Sequence, residues 1–271
     1  MSEPYRLENW QSGVGMACHA ERVRLLFALS RISAAATLAI TLLVVAWMWS
    51  AVAHGTLLVW LSLMLCNVGA LIWLQRRYLA RRPRIEDTLR WERWFSVKTA
   101  FGGLLWGMAL WLFAPQGGEF ARLFVALTLC TACLGATAVL APSRAAYYAF
   151  MVPMVVSAAI FMLFGHPDGI AAAGWAVLIY IAILVGVHDA LHRNLLATFR
   201  GRYESEALAA EHKVIFDSAA EAIGLIRPNY LAKCNRQWCT LFGYGIDEAI
   251  GQPAWAWWPS YEEWSRFARW G

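Results

Sequence analysis

The sequence predicts an all-α membrane bundle of six transmembrane helices, followed by a cytoplasmic linker helix and a short α/β segment. Composition and charge distribution predict this fold class. Hydrophobic residues make up 60% of the 271 residues and charged residues only 15%, whereas a soluble domain carries roughly 25% charged residues. The mean hydropathy is +0.47, and within residues 32–187 almost all charges lie in short loops. A water-soluble fold, a disordered chain and a collagen-like chain are therefore excluded.

Six apolar runs are each close to the ~20 residues that a helix needs to cross the hydrocarbon core of a bilayer. The third run is short, and the amphipathic residues 94–97 in front of it complete its length. Inside lipid, backbone polar groups must be satisfied within the segment, so all six runs are predicted to be helices. The runs are Ile32–Val52, Leu57–Leu74, Thr99–Ala114, Leu123–Ala141, Ala145–Phe164 and Ile170–Val187.

The distribution of Lys and Arg predicts that both termini are cytoplasmic. The second loop contains eight basic residues and the first loop contains none. With six crossings, the N-terminal segment, the second and fourth loops and the residues after the last span share one side. That side holds 22 of the 23 basic residues, and only Arg122 lies opposite. Because basic residues are retained in the cytoplasm, we expect membrane lipids, and not nucleic acid, to account for the positive net charge.

The outer connections are short, so no extracytoplasmic domain is predicted that would bind a large ligand. A signal, whether a small molecule, a lipophilic molecule or a change in the state of the bilayer, would have to act through the bundle, the bilayer or the cytoplasm. We expect the last helix to transmit it to the cytoplasmic segment. Two of the outer loops contain His54, His166 and Asp168, residue types that bind metal ions, so a metal site where the loops meet is an alternative role for them.

The second span contains Asn67, the one carboxamide within the apolar runs. It is predicted either to form an interhelical hydrogen bond or to contact a ligand. On the third span, Gly103 and Gly107 form a small-xxx-small pair, which indicates close helix approach within or between subunits.

His188 and His192 have the i, i+4 spacing that places two side chains on one helix face. A metal or haem site with His19 as third ligand would suit this geometry. The alternative is a polar turn at the membrane interface. The cofactor is therefore left unknown.

Catalytic motifs such as Gly-x-Ser-x-Gly and His-Glu-x-x-His do not occur in the sequence, so the chain is not expected to be an enzyme. A small multi-span transporter is the alternative function. It is less favoured because the apolar runs contain no Asp, Glu or Arg, which transporters commonly place within their spans.

After the last span, residues 188–212 are charged and predicted to form a linker helix. Apolar residues at a 3–4 spacing suit a short parallel coiled coil, and hence a homodimer. The alternative, which the sequence favours equally, is a single linker helix that does not form a coiled coil. The two possible stripes are Leu191, Leu195 and Thr198, or Leu196, Phe199 and Tyr203.

The following segment reads as a helix, two short strands joined by Arg227-Pro228-Asn229, and a second helix. It resembles the beginning of a PAS domain. Within the motif, Asn235 is predicted to cap a helix, Gly243 and Gly251 to end helices, and Tyr244 to follow the first of these glycines. The residues that carry the resemblance are Ile215–Ser218, Glu221–Ile223, Cys234–Asn235, Leu241–Tyr244, Asp247–Glu248 and Ile250–Gly251.

The six-span region is similar to the membrane module that often precedes PAS domains in bacterial signalling proteins. The resemblance implies an inner-membrane sensor whose output is a diguanylate cyclase, a cyclic-di-GMP phosphodiesterase or a histidine kinase. Trp106, Tyr147 and Tyr148 of these motifs, with Asn67, are the candidate ligand-binding residues. The motifs are Glu21–Leu26, Leu105–Gly107, and Ala146–Phe150 with Pro153.

The chain covers roughly the first half of a PAS domain, and we expect it to be a fragment or a truncated product without catalytic activity. The predicted domains are a cytoplasmic segment, the transmembrane domain, the linker helix and a partial PAS domain. Their boundaries are 1–31, 32–187, 188–212 and 213–271.

Reporter fusions test the predicted topology. Fusions at residues 54, 118 and 167 are expected to report the periplasm, and fusions at 83 and 200 the cytoplasm, because the basic residues surround only the latter positions. A cytoplasmic signal at His54 would contradict this orientation.

Overall fold

The computed structural model describes the backbone of residues 3–81, 83–165 and 170–267, and the side chains of residues 15–81, 83–162 and 176–267. This part of the chain contains six long helices, with a short 3-10 helix at Ile85–Asp87 before the third. The helices are α1 (Glu3–Met48), α2 (His54–Arg81), α3 (Thr88–Phe113), α4 (Gly118–Val139), α5 (Arg144–Gly165) and α6 (Ile170–Ser218).

All six helices are long and apolar enough to cross a membrane, which confirms the predicted number of candidate spans and fits a multi-pass membrane protein. Three helices extend well beyond the predicted runs: α1 begins at Glu3, α3 at Thr88, and α6 ends only at Ser218. The bilayer limits the length of an apolar run, but it does not end a helix. The linker helix and the first helix of the following segment consequently form one continuous helix with the last span.

The chain divides into two compact units, residues 1–200 and 201–271. In the first unit the apolar core runs through all six helices. The indole of Trp60 is buried in it and donates a hydrogen bond to the Leu105 carbonyl (3.0 Å). Leu123 and Leu127 on α4 are 71% and 67% exposed, as expected for side chains that face lipid.

Helices α3 and α5 approach each other so closely that their backbones are in contact. A Cβ atom on Gly103 would lie 2.1 Å from the Phe150 carbonyl oxygen, and one on Gly107 would lie 2.6 Å from the Ser157 Cβ. The glycine pair thus serves helix packing within one chain. Close approach of this kind gives van der Waals contact that lipid cannot match.

At one end of the first unit, the connections before α2 and α4 meet. The Ala53 backbone N–H donates to Gln116 Oε1 (3.1 Å), and the rings of Trp47 and Phe120 stack at 5.6 Å. These two connections are predicted to share one side of the membrane, and the structure brings them together.

The second unit contains an antiparallel hairpin of β1 (Gly224–Arg227) and β2 (Tyr230–Cys234), the only sheet among the described residues. The predicted hairpin and its turn are confirmed, since only Pro228 and Asn229 separate the two strands. Short helices follow: α7 (Arg236–Phe242), α8 (Ile246–Ala249), a 3-10 helix (Ala254–Trp257) and α9 (Tyr261–Phe267).

Asn235 organises the start of α7 and joins it to the hairpin. Its Oδ1 accepts from the backbone N–H groups of Trp238 (2.9 Å) and Ile223 (3.0 Å), while its Nδ2 donates to the Glu221 carbonyl (2.8 Å). The predicted N-cap role is therefore confirmed, and the buried amide is satisfied on both sides.

Two glycines end the local helices of this unit. Gly243 closes α7 with φ 74°, and Gly251 follows α8 with φ 86°, a left-handed conformation that favours glycine. Their predicted helix-ending roles are confirmed. The ring of Tyr244 lies 5.2 Å from that of Trp257. These features fit the PAS resemblance, whose identity stays a prediction.

A Gly103→Ala substitution tests the α3–α5 contact. We expect it to lower the free energy of unfolding by about 1–3 kcal/mol, because the added methyl group forces backbone displacement. Gly69→Ala on α2 is the matched control, since a Cβ there meets no atom within 4 Å. Its effect should be neutral or stabilising, by up to ~1 kcal/mol. Unfolding by denaturing detergent in mixed micelles measures both values, and equal effects would contradict the packing role.

Candidate functional site

A cavity of about 110 Å³ lies among residues of α1 to α5 and extends to the exposed residues Ala36, Thr131 and Gly135. Aromatic and polar side chains both contribute to its wall. We call it the bundle cavity. Its polar lining is Ser33 and Thr37 of α1, Asn67 of α2, Lys98 and Thr99 of α3, and Thr131 of α4.

Asn67 brings an unsatisfied acceptor to this cavity. Its side chain is 5% exposed, and Oδ1 has no hydrogen-bond partner in the described part of the chain. A bare buried acceptor of this kind costs about 1–3 kcal/mol. Gly102 makes room for the amide, because a Cβ there would lie 3.2 Å from Asn67 Nδ2. A ligand that donates a hydrogen bond to Oδ1 would recover this cost.

Lys98 brings a cation to the same cavity. Lys98 is one of the eight basic residues predicted to lie in the second loop, and this placement is wrong. Helix α3 begins at Thr88, so Lys98 lies within the helix, where its half-buried side chain lines the cavity. Among the described residues it forms no ion pair.

The spacing of residues around Lys98 does indicate its position in a helix. Phe95, Lys98, Gly102 and Trp106 follow one another at intervals of three or four residues, which places them on one face of a helix. All four line the cavity. Placing the start of the third span at Thr99 separated Lys98 from this face.

The four candidate ligand-binding residues do not form one site. Asn67 and Trp106 line the bundle cavity. Tyr147 lies elsewhere, stacked on His188 with ring centroids 3.7 Å apart, and the ring of Tyr148 is 5.4 Å from that of Tyr147. Trp106 packs edge-on against the buried ring of Trp60 at 5.6 Å, which fixes this wall of the cavity.

A second group of polar side chains connects α1, α3, the start of α5 and α6. We call it the polar cluster. It consists of His19, Arg22, Glu92, Ser143, His188 and His192.

Arg22 joins two histidines of the polar cluster. Its Nη2 lies 2.6 Å from His19 Nδ1, and its Nη1 lies 3.4 Å from His192 Nε2. Guanidinium groups only donate, so both ring nitrogens must accept. This assignment leaves the protons on His192 Nδ1, which donates to the Ala141 carbonyl (2.8 Å), and on His19 Nε2.

Glu92 balances the positive charge of Arg22. Its Oε2 lies 3.5 Å from His19 Nε2, and its Oε1 accepts a hydrogen bond from Ser143 Oγ. Ser143 Oγ accepts in turn from the Ala146 N–H (3.1 Å) at the first turn of α5. The carboxylate therefore links α1 and α3 to the turn before α5.

His188 and His192 lie on one face of α6, with ring centroids 6.1 Å apart, which confirms the predicted common face. Both are buried, at 0% and 3% exposure, so they pack inside the first unit rather than at its surface. Neither nitrogen of His188 forms a hydrogen bond of ordinary geometry among the described residues.

The three histidines predicted as metal ligands do not converge on one point. The acceptor nitrogens of His19 and His192 both face Arg22, and a metal ion would need those same lone pairs. No group of three His, Cys, Asp or Glu side chains in the described ranges is arranged to hold a metal ion. A metal role for His19, His188 and His192 stays a prediction from the sequence.

The polar cluster brings together regions that are predicted to lie on the same side of the membrane. Its members come from the N-terminal segment, the second and fourth connections and the region after the last span, which are predicted to share one side. A salt bridge between Arg144 and Asp189 (3.0 Å) joins the same regions.

The other candidate metal site is described only in part. His54 stacks on Trp49 with ring centroids 4.3 Å apart and lies 3.1 Å from the Trp49 carbonyl oxygen through Nε2. His166 and Asp168 lie outside the described residues.

In the second unit, Cys234 and Cys239 place their sulfur atoms 3.8 Å apart. Burial raises the pKa of the Cys234 thiol to about 11, and the neighbouring Cys239 adds to this effect. The thiol is therefore protonated at neutral pH and is a weak nucleophile.

Comparisons with protein-family models, with curated proteins and with solved structures give no match.

A double-mutant cycle on His19→Ala and Glu92→Gln tests the polar cluster. We expect a coupling energy of about 1 kcal/mol, because the two side chains are only 18% and 15% exposed and share one hydrogen-bonded network. The matched control is the exposed Arg24–Glu21 pair on α1, whose coupling should stay below ~0.5 kcal/mol. Equal coupling energies, measured by detergent unfolding, would contradict a structural role for the cluster.

Proposed function

We propose that the chain is a membrane-embedded sensory module that passes a signal from the helical bundle through α6 to the following α/β segment. The observation that carries this proposal is the continuity of α6. The helix holds the buried His192 within the bundle, continues without a break to Ser218, and is followed by β1 at Gly224. A displacement of α6 in the bundle therefore has a covalent, helical route to the hairpin.

The input is a small molecule that binds in the bundle cavity. Asn67 Oδ1 requires a hydrogen-bond donor, and the Lys98 ammonium favours an acceptor or a negative charge. The remaining wall is largely apolar, with Phe95, Trp106 and Phe150 among its members. The ligand class is thus a small, partly apolar molecule that carries both a donor and an acidic or acceptor group.

The coupling runs from the cavity to α6 through neighbouring residues. Leu140 lines the cavity, and the carbonyl of the next residue, Ala141, accepts the hydrogen bond of His192. On α3, Phe95 lines the cavity one turn away from Glu92 of the polar cluster. This coupling requires that α3 and α4 can pack in two different arrangements. A ligand shifts the position of α6 only if it binds one of these arrangements more tightly than the other.

The α/β segment is proposed to be the beginning of a PAS domain. The hairpin, the helix capped by Asn235 and the closing Gly243 support this assignment. The output would then be a diguanylate cyclase, a cyclic-di-GMP phosphodiesterase or a histidine kinase in a longer protein. No catalytic role is proposed for this chain.

The proposed location is the bacterial inner membrane, with both termini in the cytoplasm. The excess of basic residues on one predicted side supports this orientation. The contacts of Arg22 in the polar cluster and the Arg144–Asp189 salt bridge join these regions, which supports a common side.

The experiment fills the cavity and follows the far end of α6. Ala132 lines the bundle cavity, and Ala132→Phe imitates an occupied cavity. In the full chain in lipid nanodiscs, we expect amide hydrogen exchange over residues 201–250 to change about fivefold or more, the effect of a coupling free energy of at least ~1 kcal/mol. The control is Ala126→Phe, on the exposed face of the same helix, which should leave this region unchanged.

Ala132→Leu adds less volume than Ala132→Phe. It provides the same test if the phenylalanine variant does not fold. Exchange changes that stop within residues 15–187 for both variants would contradict the proposal. If the wild type takes up solute into proteoliposomes and Ala132→Phe abolishes this uptake, the result would favour a transporter instead.

A further inference from the structure

A groove between α1 and α2 combines two arginines with an apolar floor. We call it the α1–α2 groove. It has a volume of about 420 Å³ and, unlike the bundle cavity, its polar end is formed by Arg31 and Arg76. Its other lining residues are Ala34, Ala35, Leu38, Val68, Ile72, Gln75 and Leu79.

Both arginines lie at the same boundary of the apolar region. Arg31 precedes the apolar run of α1, and Arg76 follows the apolar run of α2. Ala34, Ala35 and Leu38 follow Arg31, whereas Val68 and Ile72 precede Arg76; only Leu79 lies beyond the arginines. The groove therefore leads from a charged end into the apolar part of the bundle. From Arg31 to Leu38 the helix rises by about 10 Å.

The two guanidinium groups are free to bind a ligand. Neither forms an ion pair within the described ranges, and no acidic residue lines the groove. Gln75 is already engaged, because its Nε2 donates to the Phe27 carbonyl (2.9 Å). Two exposed cations without a counter-charge therefore face a space whose remaining wall is aliphatic.

We propose that the α1–α2 groove binds an anionic phospholipid. Arg31 and Arg76 would hold the phosphate, since guanidinium donates to phosphate oxygens in a fixed, forked geometry. One acyl chain would lie between the helices, where the small side chains of Ala34 and Ala35 leave room. Basic pockets between membrane helices select acidic headgroups in this way. The site is separate from the bundle cavity and does not depend on the proposed sensory function.

The test titrates dioleoyl phosphatidylglycerol into the purified full chain in a neutral detergent and measures lipid occupancy by native mass spectrometry. The wild type should bind phosphatidylglycerol more tightly than phosphatidylcholine. The double variant Arg31→Gln/Arg76→Gln should weaken phosphatidylglycerol binding about 10- to 30-fold, as expected for two surface cations. It should leave phosphatidylcholine binding unchanged.

Arg77→Gln is the matched control for charge. Arg77 neighbours Arg76 in sequence but lies over the Trp73 ring, 5.0 Å from its centroid, and does not line the groove. It should weaken lipid binding by no more than about fivefold, the effect of one surface charge. A loss equal to that of the groove variant would assign the effect to general surface charge and overturn the proposal.

Ala35→Trp tests the apolar half of the site while both arginines remain. Ala35 is exposed, so the indole should block the acyl chain without disturbing the core, and phosphatidylglycerol binding should fall. Unchanged binding would overturn the proposal, because it would show that no acyl chain occupies the groove. Inorganic phosphate should not displace the lipid; displacement at millimolar phosphate would show a free-anion site and would also overturn it.

Discussion

The bundle depends on close backbone packing between α3 and α5. Lipid removes the hydrophobic driving force between helices, so stability must come from van der Waals contact and from polar groups that find partners. Gly103 and Gly107 allow the van der Waals contact, since a Cβ at Gly103 would strike the Phe150 backbone and one at Gly107 would strike the Ser157 side chain. Both α3 and α5 also supply walls of the bundle cavity, so this contact limits how the cavity can change shape.

Polar side chains in the bundle fall into two classes with different consequences. Glu92, Arg22 and His192 have partners on several helices and fix the geometry of one end. Asn67 Oδ1 and both ring nitrogens of His188 lack hydrogen bonds of ordinary geometry among the described residues, although the His188 ring stacks on Tyr147. A buried polar group without a hydrogen bond is held at a cost that a ligand or a change of packing can relieve. The polar cluster thus joins several helices at one end of the bundle, whereas the Asn67 acceptor borders the cavity without a partner among the described residues.

The sequence predicted those features that a local rule determines. Bilayer thickness fixed the number of spans, the short Pro228-Asn229 turn fixed the hairpin, and capping chemistry identified Asn235. The sequence did not predict the features that depend on contacts between residues far apart in the chain. Nothing local in the chain reveals that Arg22 meets His192, 170 residues away in sequence. Tyr147 and Trp106 belong to similar aromatic motifs, yet only tertiary packing assigns Trp106 to the cavity and Tyr147 to His188. Lys98 was misplaced because an apolar run was taken as the extent of its helix.

The length of α6 makes it one element shared by two compact units. His192 is held in the bundle, and the helix continues for 26 further residues to Ser218, about 39 Å along its own axis at the usual rise of 1.5 Å per residue. The boundary between the units, at residues 200 and 201, therefore falls within a helix and not in a loop. Cleavage of the chain at this boundary would create two new helix ends, each with about four backbone groups that have lost their helical partners.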